Sequence, residues 1–291
     1  MLKTSNLEYN SQMNILEWVV NQSISLLYAL WPQPKPGLDR LRNCRLVAHR
    51  GVHRETSDGV NPGPPLENSA RSFELCVENQ IWAAELDVRF TSDNEPLITH
   101  DPTAGRLWHR PDIIYSKCTF AEVRRELPEV LHLREVVERF ALNSSPRLHL
   151  MIEIKENLSG QTARINKLKS VLTALKPEVD YHLLALNPLI LEPLNFCPKS
   201  AYLDVIWLDS NTVIRANREL GHGAIAGHFL FFGQEKITEL QKSGVKVAVG
   251  FLDSKNSLYR EINRGVDFIF SNHPLRLKKI LSEALDRPET T

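Results

Sequence analysis

A chain of 291 residues holds one large α/β barrel or two ordinary domains, and either can bury a sizeable core. Lys plus Arg (35) equals Asp plus Glu (35), so there is no global basic footprint; no nucleic-acid partner is expected, and any anion must be read by a local site. Cys44, Cys76, Cys118 and Cys197 are too scattered for a zinc or Cys-x-x-Cys motif. With no signal-peptide pattern and no apolar run of about 18 residues, they point to a cytoplasmic protein.

Residues 1–43 read as a helical extension with a Pro-rich linker. Between residues 14 and 31, Leu16, Val19, Val20, Leu26, Leu27 and Leu30 share one helical face; Glu17, Asn21, Gln22 and Ser25 share the other. Pro32, Pro34 and Pro36 then stop the helix. The polar face has no Lys or Arg, so the expected role is packing across the N-terminal end of the following domain. Peripheral membrane contact through residues 14–31 is the second reading.

From residue 44 to 291 short apolar runs alternate with amphipathic stretches. The runs are Leu46–Ala48, Ala84–Phe90, Leu148–Ile154, Tyr181–Leu186, Tyr202–Leu208, Ala224–Leu230, Val245–Phe251 and Asp267–Phe270. Between them lie helical patterns such as Glu67–Asn79, Thr162–Leu175, Gln234–Ser243 and Asn256–Arg264. This alternation predicts parallel strands joined by crossovers, closed as a (β/α)8 TIM barrel, with a doubly wound open sheet as the alternative. Leu97–His100 breaks the beat and reads as a small hairpin insertion after strand two.

Chemistry gathers at the predicted strand ends, where barrel active sites lie. His49-Arg50-Gly51 closes strand one and sets an acid/base group and a fixed cation beside a backbone able to turn sharply. Alone it is equally a loop histidine. Glu85-Leu86-Asp87 ends strand two, and residues i and i+2 of a strand share a face, roughly 6.6 Å apart. Two carboxylates side by side among Ala83, Ala84, Leu86 and Val88 call for a cation between them; the alternative is a pair of edge charges. Glu153-Ile154-Lys155 ends strand three. It supplies a third carboxylate and an ammonium, or else a plain structural Glu–Lys pair. An all-oxygen set suits Mg²⁺ or Ca²⁺, with Mn²⁺ of the same class. His100-Asp101 sits on the insertion and overhangs the site from the side opposite His49. A histidine on each side of an anion meets the need of phosphodiester cleavage for one proton acceptor and one donor.

In this order the motifs His49-Arg50-Gly51, Leu66-Glu67-Asn68-Ser69, Glu85-Leu86-Asp87, His100-Asp101 and Glu153-Ile154-Lys155 resemble the signature of the glycerophosphodiester phosphodiesterase family. The resemblance implies an enzyme that hydrolyses glycerophosphodiesters to glycerol 3-phosphate and an alcohol. It implies His49 and His100 as general acid/base, Glu85, Asp87 and Glu153 as metal ligands, and Arg50 and Lys155 toward the phosphate. Glu67 and Asn68 would brace the mouth from behind. Departures from the family pattern are Leu66 for Pro, Ser69 for Thr, and a long Val52–Pro65 loop. Gly250-Phe251-Leu252 stands where Trp-Thr-Val is common, which predicts a displaced or missing aromatic wall. Ser271-Asn272-His273-Pro274 stands where Thr-Asp-x-Pro is usual. Lysophospholipase D-like or sphingomyelinase D-like action on lysolipids is the enzymatic alternative, and a non-catalytic phosphate-binding barrel the alternative of another class. Oligomeric state is not readable.

Overall fold

The computed structural model describes residues 28–56, 63–207 and 209–286. Eight parallel strands close into a barrel: β1 (Leu46–Ala48), β2 (Ala83–Phe90), β6 (His149–Ile154), β7 (Tyr181–Ala185), β8 (Tyr202–Val205), β9 (Ala224–His228), β10 (Lys246–Gly250) and β11 (Phe268–Ser271). β1 pairs with both β2 and β11, which completes the ring. The (β/α)8 reading holds, and all eight predicted runs carry a strand. Four strands end earlier than the apolar runs do, among them β8 at Val205 and β10 at Gly250, because the apolar character continues into the mouth loops.

Strand residues alternate between two cores. Val47, Met151, Leu184, Ala248 and Phe268 fill the barrel, while Leu86, Ile152, Leu183, Ile225 and Val247 pack outward against the helices. Those helices include Ala70–Glu78, Thr162–Leu172, Ser210–Leu220, Gln234–Lys242, Lys255–Arg264 and Pro274–Asp286. Ala70–Glu78 starts with a reciprocal Ser69/Ser72 capping box, which fixes where the preceding Glu67 and Asn68 sit.

The insertion is larger than a hairpin. β3 (Pro96–Ile98) runs antiparallel to β2, with Val88 opposite Ile98. β4 (Thr103–Ala104) and β5 (Arg110–Ile114) then form a separate two-stranded sheet around the turn Gly105–Trp108. Leu97, Ile113, Tyr115 and Val123 give this module its own small core.

Of the N-terminal segment read as an amphipathic helix, residues 14–27 lie outside the described residues, and only its last four residues, 28–31, are placed. Tyr28 packs edge-on against Phe229, which follows β9, and the Ala29 carbonyl accepts from Asn256 in the first turn after β10. Both partners stand at the C-terminal, mouth end of the barrel. The chain then descends along Lys255–Arg264, with Asn263 donating to the Pro34 carbonyl, and ends in the short helix Leu38–Arg42 within the predicted linker.

The barrel floor contains a polar chain the sequence reading did not anticipate. His149 Nδ1–H donates to the Val179 carbonyl at 2.9 Å, and its Nε2 lies 2.9 Å from His182 Nδ1. Trp82 stacks on His149. Burial pushes His149 down to about 4 and, with the neighbouring His149, pushes His182 down to about 2. Both values lie below the ordinary 6.5, so the unfolded chain binds more protons in acid. Stability is therefore expected to be complete above pH 6.5 and to fall as pH drops through 6.5 toward 4. Thermal melts across this window should show the loss, and His182→Leu should flatten it. An unchanged acid slope in that variant would rule out the pair as the cause.

Candidate active site

Three carboxylates meet at the mouth because of strand register. Asp87 on β2 lies directly opposite Glu153 on β6, and Glu85 shares its face with Asp87. One oxygen of each lies within 4.8 Å of the others. Glu85 and Asp87 are buried, and Glu85 Oε1 has no hydrogen-bond donor. Lys155 Nζ reaches in, 2.9 Å from Asp87 Oδ1 and 2.7 Å from Glu153 Oε1. Burial, then the charges of Asp87 and Glu153, push the Glu85 carboxyl well above the usual carboxylate range. Burial acts the same way on Asp87, but Lys155 and Arg50 outweigh it and hold Asp87 below that range. The Lys155 ammonium is disfavoured by burial yet held above its ordinary value by Asp87 and Glu153.

β1 delivers His49, Arg50 and Gly51. Arg50 and Gly51 both adopt left-handed backbone, with φ of 55° and 74°. At Gly51 a Cβ would stand 2.4 Å from Ser72 Oγ, so the turn admits only glycine. This turn aims the Arg50 N–H at Glu85 Oε2, 2.8 Å away. The Arg50 guanidinium donates to Glu67 Oε1 at 3.0 Å and lies 3.4 Å from Asp87 Oδ2. Asn68, also left-handed at φ 57°, donates from Nδ2 to Asp87 Oδ2 at 2.8 Å. Glu67 and Asn68 thus hold Arg50 and Asp87 in place.

The two histidines are anchored differently. His49 Nδ1–H donates to Asn272 Oδ1 at 2.8 Å, leaving Nε2 with its lone pair, 3.9 Å from Glu85 Oε2. Burial, reinforced by Arg50, pushes the ring down to about 3. Phe251 stands edge-on to His49 at 5.0 Å between centroids, so an aromatic wall is present after all, one residue beyond β10. His100 Nδ1 lies 2.8 Å from the Asp101 carboxylate. The Thr99 N–H donates to the Asp87 carbonyl at 3.0 Å, which seats His100 beside the carboxylates.

Asn272 and Arg106 are the residues that sequence reasoning did not place. Arg106 donates from Nε to Asp101 Oδ2 at 2.6 Å and from Nη2 to Glu67 Oε1 at 2.5 Å. It clamps the insertion onto the barrel and joins the supports of His100 and Arg50. No motif marks Arg106; its role exists only once the β4–β5 module folds back. Asn272 was visible only as an amide where the family usually has Asp.

All nine predicted site residues, His49, Arg50, Glu67, Asn68, Glu85, Asp87, His100, Glu153 and Lys155, converge at this mouth. Residues 49–192 match the family model described as the Glycerophosphoryl diester phosphodiesterase family. Over these residues the chain belongs to that family. It is thereby a phosphoric diester hydrolase by class. The fold agrees with solved relatives. The glycerophosphodiester phosphodiesterase of Parabacteroides distasonis is 20% identical, with a TM-score of 0.65, covering 83% of this chain and 98% of that one. A Thermotoga maritima glycerophosphodiester phosphodiesterase is 20% identical, with a TM-score of 0.62, over 80% of this chain and 96% of that one. An Oleispira antarctica phosphodiesterase, solved with its product sn-glycerol-3-phosphate, is 20% identical, with a TM-score of 0.65, over 82% and 96%. No curated protein sequence matches the chain.

Proposed function

We propose that this phosphodiesterase hydrolyses glycerophosphodiesters to glycerol 3-phosphate and an alcohol, with a divalent cation and a histidine pair. The observation that carries this reading is the carboxylate trio, with Glu85 Oε1 lacking a donor, set between two histidines whose Nδ1 atoms are both tied back. Glu85, Asp87 and Glu153 would hold the metal, and their all-oxygen chemistry suits Mg²⁺ or Ca²⁺, with Mn²⁺ as a substitute. When bound, the metal supplies Lewis-acid stabilisation of charge on the phosphoryl oxygens.

The chain's own residues do the rest. His49 presents an unprotonated Nε2 because a neutral amide takes its Nδ1–H, which suits it to accept the nucleophile's proton. His100 has its Nδ1 held by the Asp101 carboxylate at 2.8 Å, which fixes the ring and leaves Nε2 as the atom that would pass a proton to the leaving oxygen. A nucleophile oxygen bonds to phosphorus, the ester P–O bond breaks, and the proton leaves on the alcohol. Lys155 and Arg50, already among the carboxylates, add positive charge where phosphate oxygens would lie.

A second reading, cleavage of lysolipid diesters, is favoured by the exposed Phe251 and Trp207 on the opposite half of the mouth. Purified protein with Mg²⁺ and glycerophosphocholine is expected to release glycerol 3-phosphate and choline. Release of phosphocholine instead, or turnover of lysophosphatidylcholine alone, would overturn the glycerophosphodiester reading.

A further inference from the structure

Among the described residues, the exposed large apolar side chains are unevenly placed. Leu186 follows β7, Trp207 follows β8, Leu230 follows β9 and Phe251 follows β10, all at the C-terminal ends of parallel strands. Leu30 and Trp31, about 70% exposed, stand beside them, because Tyr28 and Ala29 are fastened to Phe229 and Asn256. The charged site occupies the other side of the same mouth, on β1, β2 and β6. At the floor end Val179, before β7, is the large apolar side chain left exposed. A soluble barrel scatters such residues; gathering them around one opening marks an interaction surface.

We propose that this rim docks on a lipid–water interface and turns the active site toward it. The rim is continuous with the phosphodiester site through Phe251, whose ring touches His49. An occupant that supplied both apolar depth and phosphodiesters at one surface would fit both halves of the mouth. The chain also enters the described structure at Tyr28, at this end. Trp and Leu are the side chains that partition into such interfaces. No helix among the described residues is long and apolar enough to cross a membrane, so the contact is peripheral.

The test is co-sedimentation of the full chain, with Mg²⁺, on neutral phosphatidylcholine vesicles; this readout is independent of turnover. Wild-type protein is expected in the pellet. The combined variant Trp31→Ser, Trp207→Ser, Leu230→Ser should bind at least about tenfold more weakly, since each buried side chain of this size is worth about that factor. Val179→Ser at the floor should bind like wild type. Circular dichroism of each variant separates lost docking from lost fold, and the single variants replace the combined one if it unfolds. Wild-type protein remaining in the supernatant overturns the proposal, as does equal binding by the rim and floor variants. Self-association abolished by the rim variant, without vesicle binding, would make a second copy the occupant. Vesicle binding that appears only after residues 1–27 are removed would mean that this segment covers the rim. Either result overturns the lipid assignment. Turnover of glycerophosphocholine, measured in parallel, decides the catalytic reading separately.

Discussion

Chelation is expected to abolish phosphodiester turnover, with Mg²⁺, Ca²⁺ or Mn²⁺ restoring it. Lewis-acid stabilisation is worth several kcal/mol, roughly 10³ in rate. The physical ground is the unbalanced charge at the mouth. Three carboxylates converge within 4.8 Å, and Glu85 is fully buried. Lys155 compensates Asp87 and Glu153, whereas Glu85 Oε1 has no donor at all. A cation bridging the trio answers that deficit better than burial of unpaired carboxylates does. Asp87→Asn is the cleaner variant, because the Asp87 N–H, which donates to Asn68 Oδ1 at 3.3 Å, and the strand pairing with Glu153 keep its backbone seated. It should weaken metal binding at least about tenfold with the melting transition retained. Metal content by elemental analysis, read beside turnover, provides the check. Full activity in excess chelator, with no metal bound, would remove the metal from the reaction.

Much of this site was readable before folding, for one physical reason. Strand alternation puts i and i+2 on one face, so Glu85 with Asp87, and Glu153 with Lys155, announce a shared face from spacing alone. Their mutual approach was expected from the predicted strand ends and the order of the motifs, not from spacing. It depends on the β2–β6 register that sets Asp87 against Glu153, and register is a property of paired strands. The eight strands were equally visible as apolar runs. Their ends were not, because Trp207 and Phe251 continue the apolar pattern past Val205 and Gly250 for reasons other than strand pairing. Arg106 lay wholly out of reach. Its two carboxylate partners come from segments 5 and 39 residues away, and both contacts require the insertion to fold over the mouth. The His149–His182 chain was hidden for a similar reason: each looks like an ordinary residue at the start of an apolar strand, and only the β6–β7 pairing brings them together.

The same geometry sets the expected cost of losing each histidine. His49→Ala and His100→Ala should each lower kcat by about 10²–10⁴, the usual worth of a positioned acid or base. That range corresponds to about 2.7–5.5 kcal/mol of transition-state stabilisation. The losses should fall on kcat more than on KM, because neither ring is needed to hold the phosphate in the ground state. The two should also differ in what modifies them. Asn272→Asp replaces a neutral acceptor 2.8 Å from His49 Nδ1 with a carboxylate, which favours the charged ring. The basic form of His49 then appears only at higher pH, so the acidic limb of the kcat/KM profile should move upward. Arg106→Gln instead removes the clamp that joins Asp101 to Glu67, so it should lower kcat by loosening the supports of His100 and Arg50 together. His109 and His273 serve as controls: one ends the turn Gly105–Trp108 and the other follows Asn272, and their alanine variants should stay near wild type. Near-normal kcat in His100→Ala, with the barrel intact by circular dichroism, would withdraw His100 from the chemistry and leave His49 acting with water.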